Sequence, residues 1–239
     1  MLLHDVNGEI IMKFIRKSKD RGVADLGWLQ SHHTFSFGEY HDPEHMGVSA
    51  LRVINDDIVQ PAKGFATHSH KDMEIISYVI SGAIAHKDSE GNEAVIPAGD
   101  VQIMSAGRGI RHSEYNPSSE AETNFLQIWI QPNKKGVKPT YGQMTVESKR
   151  TLTPLVTPDG RDNSLTMNQD SSLYKLRMDE DEGLTLANAA RHGYLHIVKG
   201  EVTAAGKIFS AGDAFALGPH EKVELQAKTE LEALWFDLP

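Results

Sequence analysis

The stretch Gly64-Phe65-Ala66-Thr67-His68-Ser69-His70-Lys71-Asp72-Met73-Glu74, followed by Ile75-Ile76-Ser77-Tyr78-Val79-Ile80-Ser81-Gly82, decides how this chain folds. The run from Ile75 to Ile80 is rich in isoleucine, valine and tyrosine, too short for a typical helix, and bounded by glycines, so it reads as strand. On a strand, side chains two apart share a face. His68 and His70 then present both imidazoles to one side, while Ser69 and Lys71 face the other. Two neutral imidazoles on one rigid strand suit a borderline transition metal such as iron, copper, nickel or zinc.

One His-x-His pair is a weak signal, since twelve His in 239 residues give about 0.6 such pairs by chance. Support comes downstream, in Ile110-Arg111-His112-Ser113-Glu114-Tyr115-Asn116, where His112 and Glu114 are again two apart. The chain between His70 and His112 is long enough to go out, turn and return. Three imidazoles and one carboxylate from two neighbouring strands can then close on one ion.

The rest of the chain reads as β structure. Gly82 to Val95 is a hairpin: Ala83 to His86 runs out, Asp88-Ser89-Glu90-Gly91-Asn92 turns, and Glu93 to Ile96 returns. Pro97-Ala98-Gly99-Asp100 is a second turn, Val101 to Met104 a short strand, and Phe125 to Ile130 a buried one. Leu51 to Val59 alternates through Leu51, Val53 and then Ile54, with Asn55-Asp56-Asp57 as a turn signal, and Asp179 to Arg191 is the one place compatible with helix. His32, His33, His41 and His45 do not share a face and flank a proline turn, so they read as structural or pocket-rim residues. Short, evenly spaced strands without a sustained 3.6-residue period mean an all-β sandwich or barrel.

The second half repeats the first. Tyr78 to Ala85 aligns with His196 to Thr203 at an offset of 118, and Ile96 to Val101 with Phe209 to Ala214 at 113. Two copies of one β domain follow. The same offsets carry His68 and His70 onto Leu186 and Asn188, and His112 and Glu114 onto Leu225 and Ala227. The second copy has thus lost every candidate ligand, and His192, His196 and His220 read as structural.

An apolar share of 39% and a charged share of 24% mark a soluble globular chain. A net charge of -9 with no basic cluster argues against nucleic acid as a direct ligand. The absence of cysteine excludes disulfides, thiolate metal sites and cysteine nucleophiles. Residues 1–12 form a loose extension without the pattern of a secretory signal, and no apolar stretch is long enough to span a bilayer. The expected location is the cytoplasm, with no membrane association.

Four stretches carry a family resemblance: His33-Thr34-Phe35-Ser36-Phe37-Gly38-Glu39-Tyr40-His41-Asp42-Pro43, Thr67-His68-Ser69-His70, Pro97-Ala98-Gly99-Asp100, and Gly107-Arg108-Gly109-Ile110-Arg111-His112-Ser113-Glu114. Together they resemble the pirin family of bicupins, and among these the bacterial pirin-like proteins with quercetin 2,3-dioxygenase activity. The resemblance implies two tandem cupin barrels of the double-stranded β-helix, or jelly-roll, type. Residues 1–134 would form the metal-binding barrel and 135–239 a degenerate barrel without metal ligands. It also implies one divalent transition metal held by His68, His70, His112 and Glu114. Iron is the metal usually described, with zinc, nickel, copper, manganese or cobalt as alternatives. Many cupins take their carboxylate ligand from a Glu shortly after His-x-His, here Glu74; the pirin pattern assigns Glu114 and leaves Glu74 as a core or supporting group.

Such a site leaves coordination positions open for a small aromatic polyphenol and O2. Glu114 would act as the catalytic base for a flavonol hydroxyl, with ring opening and loss of carbon monoxide to follow. Two rival readings stand beside this one. Some pirins resemble redox-responsive proteins that bind a protein partner, and a cupin metal site also serves chemistry without oxygen.

Overall fold

The computed structural model describes residues 12, 14–146 and 151–239. The expected N-terminal extension therefore lies outside the described residues except at Met12. The first part of the chain supplies β1 (Phe14–Arg16), β2 (Gly22–Asp25), β3 (Leu29–His33), β4 (Leu51–Val59), β5 (Gly64–His70), β6 (Glu74–Ser81), β7 (Ala83–Asp88), β8 (Glu93–Pro97), β9 (Asp100–Ser105), β10 (Ile110–Tyr115), β11 (Thr123–Ile130) and β12 (Thr140–Thr145). The second supplies β13 (Leu152–Thr157), β14 (Leu165–Thr166), β15 (Ser172–Met178), β16 (Gly183–Ala187), β17 (His192–Lys199), β18 (Glu201–Ala204), β19 (Lys207–Ser210), β20 (Ala214–Leu217), β21 (Lys222–Ala227) and β22 (Leu231–Leu238). Among the described residues the only helical turns are two short 3-10 segments, Ser18–Asp20 and Arg161–Asn163. No helix among them is long and apolar enough to cross a membrane.

The chain divides into two units, each built as a larger sheet and a four-stranded one. In the first, the large sheet has the order β12-β9-β6-β11-β4-β3-β2 and the small one β5-β10-β7-β8. In the second, the orders are β1-β20-β17-β22-β15-β13 and β16-β21-β18-β19. Strand for strand, β9-β6-β11-β4 corresponds to β20-β17-β22-β15, so the internal repeat seen in the sequence is a repeat of topology. The hydrogen bonding forms pairs of sheets, not closed barrels, as in a jelly roll.

Neither unit is one continuous piece of chain. Residues 21–146 and 156–170 form the first; residues 14–20, 151–155 and 171–239 belong to the second. The sequence places a single boundary at 134/135, after which the Pro- and Gly-punctuated run to Pro139 reads as a linker. In the structure β12 follows that run and pairs with β9, Thr140 opposite Ser105 and Thr145 opposite Asp100, so it extends the first unit's sheet. β1 meanwhile pairs with β20 of the second unit, Phe14 opposite Ala216.

Two further expectations are corrected. Asn55-Asp56-Asp57 is not a turn: β4 runs unbroken through it, because Asn55 and Asp57 point into the unit and Asp56 pairs outward with Arg21 at 3.2 Å and Asn124 at 2.8 Å. The possible helix at Asp179–Arg191 is strand β16 flanked by turns. Leu184 and Leu186 alternate toward the interior, and the strand pairs with β21 from Gly183 opposite Gln226 to Ala187 opposite Lys222. Period two wins over the local helix formers because it buries both leucines.

The opening stretch is also two strands and not one. Lys71 to Met73 breaks it, with Asp72 in the left-handed region at φ 49, its backbone N–H donating to Gly107 O and its carboxylate accepting from Gly136 N. β5 thus joins the small sheet while β6 enters the large one. β6 is buried through Val79, with Ile75, Ile76, Tyr78 and Val79 at 1% exposure or less. Each such side chain contributes about 1.5–3 kcal/mol on burial.

Gly64 fixes how closely β5 and β10 approach. A Cβ there would lie 2.2 Å from Glu114 O and 2.5 Å from Tyr115 Cα, both backbone atoms that cannot swing aside. Gly64→Ala is therefore expected to cost about 1–3 kcal/mol, read as a lowered midpoint in urea unfolding, and to weaken metal binding in calorimetry because the strand carrying His68 and His70 is pushed off β10.

Candidate metal centre

The site is assembled by three adjacent strands, β5, β10 and β7. His112 on β10 lies opposite His68 of β5 on one side and opposite Asp88 of β7 on the other. Glu114, two residues on, lies opposite His86 of β7. Alternation along β10 turns Ile110, His112 and Glu114 inward and Arg111 and Tyr115 outward, as the spacing predicts. On the β5 side the register slips between His112 and Glu114, so that Glu114 faces Phe65 and not residue 66. Such a bulge re-aims the strand beside a site.

The three predicted imidazoles converge. Ring centroids are 4.5 Å apart for His68 and His112, 4.7 Å for His68 and His70, and 4.9 Å for His70 and His112. Each offers a nitrogen within 4.8 Å of the others. Glu114 enters a second, overlapping group formed with His112 and His86, also within 4.8 Å. The three expected imidazoles therefore form one group, and Glu114 adjoins it through His112, which is common to both groups, and His86 on β7. His86 and Asp88 are themselves two apart on a strand, the same signal that picked out His68 and His70.

Neither ring nitrogen of His112 has a hydrogen-bond partner among the described residues, although the side chain is 1% exposed. A buried polar group left without a partner costs about 1–3 kcal/mol, and a cation is the partner this geometry suits. Burial, with the neighbouring His68, His70 and His86, pushes His112 down to about 3; burial and His68 push His70 down to about 4. Both rings are neutral and ready to bind a metal at any ordinary pH. The His68 Nδ1 lies 2.8 Å from Ala66 O, which fixes that ring's orientation.

Glu114 is 2% exposed and receives Ser77 Oγ at 3.2 Å and Gln127 Nε2 at 3.0 Å. Burial pushes its carboxyl up to about 7 despite those two donors. Glu74 has a different setting: it accepts from Ser105 Oγ at 2.5 Å and from Asn168 N and Nδ2 at 3.2 and 3.3 Å. Its carboxylate ties the core of the large sheet together. On β7, Asp88 accepts from Glu90 N, Asn92 N and Asn92 Nδ2 to close the hairpin turn, and its Oδ2 lies 3.2 Å from His86 Nε2.

A cavity of about 890 Å³ opens against His68 and His70 and is walled by Trp28, Phe65, Phe37 and Trp129 with a polar side at His33, Asn55, Asp57 and Gln127. Trp129 stands edge-on to His70, centroids 5.1 Å apart, and Phe37 packs edge-on against Trp129 at 5.4 Å. Of the four N-terminal histidines, His33 reaches this wall, while His45 is held by Asp42 at 2.8 Å. In the second unit, Leu186, Leu225 and Ala227 lie in a buried apolar cluster with Phe209, Phe215 and Trp235.

A Pirin family profile matches residues 15–130, and a profile described as the quercetinase C-terminal cupin domain matches residues 154–238. The chain belongs to the pirin family. Quercetin 2,3-dioxygenase of Escherichia coli (strain K12) is 47% identical over 229 residues, covering 95% of this chain and 99% of that protein. A pirin-like protein of Caulobacter vibrioides is 39% identical, covering 93% and 98% respectively. The crystal structure of the bacterial pirin YhhW from Escherichia coli in complex with nickel(II) superimposes with a TM-score of 0.91 at 46% identity, covering 95% of this chain and 98% of that one. A divalent metal thus accompanies this fold in a near relative, and the all-β bicupin architecture is that of the pirin family.

Protonation of this pirin's pocket gives a test of the ligand set. A metal binds the deprotonated form of each ligand. At pH 6 His70 and His112 are already neutral, whereas Glu114, raised to about 7, still holds its proton. Nickel binding is therefore expected to release about one proton more from the wild type than from Glu114→Gln at pH 6 and nearly the same number at pH 8. Calorimetry in buffers of different ionisation enthalpy reads the difference; equal release at both pH values would remove Glu114 from the ligand set.

Proposed function

We propose that this pirin is a metal-dependent dioxygenase that opens flavonols such as quercetin with O2. The observation that carries the reading is the convergence of His68, His70 and His112, with His68 and His70 lining an aromatic-walled cavity of about 890 Å³. That volume falls within the usual range for sites that enclose a drug-sized ligand. The curated relatives' name supports it at 47% identity over nearly the whole chain.

His68, His70, His112 and Glu114 would hold one divalent ion. The three-nitrogen, one-oxygen donor set suits iron, and equally nickel, zinc, copper, cobalt or manganese. When bound, such an ion supplies a Lewis acid for an enolic hydroxyl and the electronic contact with O2. The chain's own residues do the rest. Trp129, Phe37, Phe65 and Trp28 line the cavity with flat apolar surface, which orients an aromatic ring and keeps water out. Glu114 would take the proton of the flavonol hydroxyl as the general base. Ser77 and Gln127 hold that carboxyl in place from the facing sheet while it gains and gives the proton. In the overall reaction both atoms of O2 enter the ring-opened ester, and the carbon that bore the hydroxyl leaves as carbon monoxide.

We assign this chemistry to the first unit and none to the second, where the sequence offsets put Leu186, Asn188, Leu225 and Ala227 in place of the four ligands. Protein loaded with iron or nickel without oxygen, then given quercetin and O2, is expected to release carbon monoxide. His70→Ala should lose both bound metal and oxygen uptake, by at least about 100-fold in turnover. Retention of either in that variant, or metal-loaded wild type that consumes no oxygen, would favour the binding-protein reading instead.

A further inference from the structure

One wall of the cavity carries polar atoms that the metal site does not use. β3 and β4 run side by side there, with His33 opposite Asn55 and Asp57 two residues further along the same face of β4. Asn55 and Asp57 are each 2% exposed and His33 6%. Yet Asn55 Oδ1, Asp57 Oδ1 and His33 Nδ1 have no hydrogen-bond partner among the described residues, and the same holds for Trp129 Nε1 nearer the imidazoles. All four side chains line the cavity. Buried polar atoms left open in this way are normally satisfied by something. Trp129 N–H is a donor beside His70, and the side-chain oxygens of Asn55 and Asp57 are acceptors, Asp57 in its ionised form, burial having pushed its carboxyl up to about 7.

From this arrangement, and resting on the flavonol reading above, we propose that Asn55 and Asp57 form a hydroxyl-recognition wall that selects polyhydroxylated aromatic substrates over those without outer hydroxyl groups. Two adjacent acceptors ask for two adjacent O–H donors, as on a catechol ring, and His33 supplies a third contact. The apolar residues hold any flat ring; the wall decides which ring. A site built to accept from hydroxyls discriminates strongly against an analogue that lacks them, because its own buried oxygens are then left unpaired. Gln127, opposite Asn55 on the neighbouring strand, spends its amide on Glu114, so the wall is linked to the base through a single side chain. Asp56 takes no part, since it faces the other way toward Arg21 and Asn124.

The test compares quercetin with 3-hydroxyflavone, which keeps the chelating hydroxyl and keto group but has no hydroxyl on either outer ring. Dissociation constants are measured by calorimetry on nickel-loaded protein without oxygen, and the readout is the ratio between the two compounds. Wild type is expected to favour quercetin by at least about tenfold. Asp57→Leu and Asn55→Ala should each collapse that ratio to within about threefold, while Asp57→Asn, which keeps an acceptor oxygen, should restore most of it. A wild type that binds both compounds equally, or variants that leave the ratio unchanged, overturns the wall and leaves the flavonol reading intact. A wild type that binds neither compound overturns both.

Discussion

An imidazole with neither nitrogen bonded among the described residues and a carboxyl raised to about 7 stand two residues apart on β10, both almost wholly out of water. Keeping His112 and Glu114 dry is expensive for the fold, and the surrounding structure is arranged to bear that expense. β5 brings two further imidazoles from one side, β7 brings His86 and Asp88 from the other, and the large sheet supplies Ser77 and Gln127 as donors. The large sheet does more than cap the pocket. His33, Asn55, Gln127, Ser77, Gln102 and Gln143 lie opposite one another in turn on successive strands, a polar row crossing a sheet whose other positions are largely apolar. A cation placed between the imidazoles is what makes such an interior energetically coherent.

The second unit shows what the same topology does without that demand. On β16 and β21 it has Leu186, Val223, Leu225 and Ala227, and its interior closes into an apolar cluster that includes Phe209, Phe215 and Trp235. One architecture therefore supports a polar pocket in one copy and a packed core in the other. The difference lies in a handful of side chains on β5 and β10 against β16 and β21, not in the strand order.

Much of this was legible from side-chain alternation. The His-x-His and His-x-Glu spacings place their side chains on one face whatever the neighbouring strands do, and the hairpin of β7 and β8 was announced by Asp88-Ser89-Glu90-Gly91-Asn92. What failed were readings in which local composition competes with pairing. Asn55-Asp56-Asp57 has the residues of a turn, but inside a wide sheet next to a polar cavity those residues are tolerated mid-strand. The break after His70 was hidden because Asp72 adopts a left-handed conformation without a glycine to mark it. The contribution of His86 required knowing that β7 and not some other strand borders β10, which is a matter of long-range pairing. The exchange of segments between the units leaves no local trace in the sequence at all.

That exchange sets the order in which the molecule can be completed. β1 pairs with β20, roughly two hundred residues later, and the adjoining Lys17 and Ser18 both bond the Asp213 carboxylate. During synthesis the leading strand emerges from the ribosome first and then waits, unpaired, until nearly the whole polypeptide has been made. The metal-site strands β5, β7 and β10 all lie within residues 64–115 and have no such delay. The unit that carries the imidazole cluster is thus poised to take shape early in translation, while the other is completed last, when β20 meets the waiting β1.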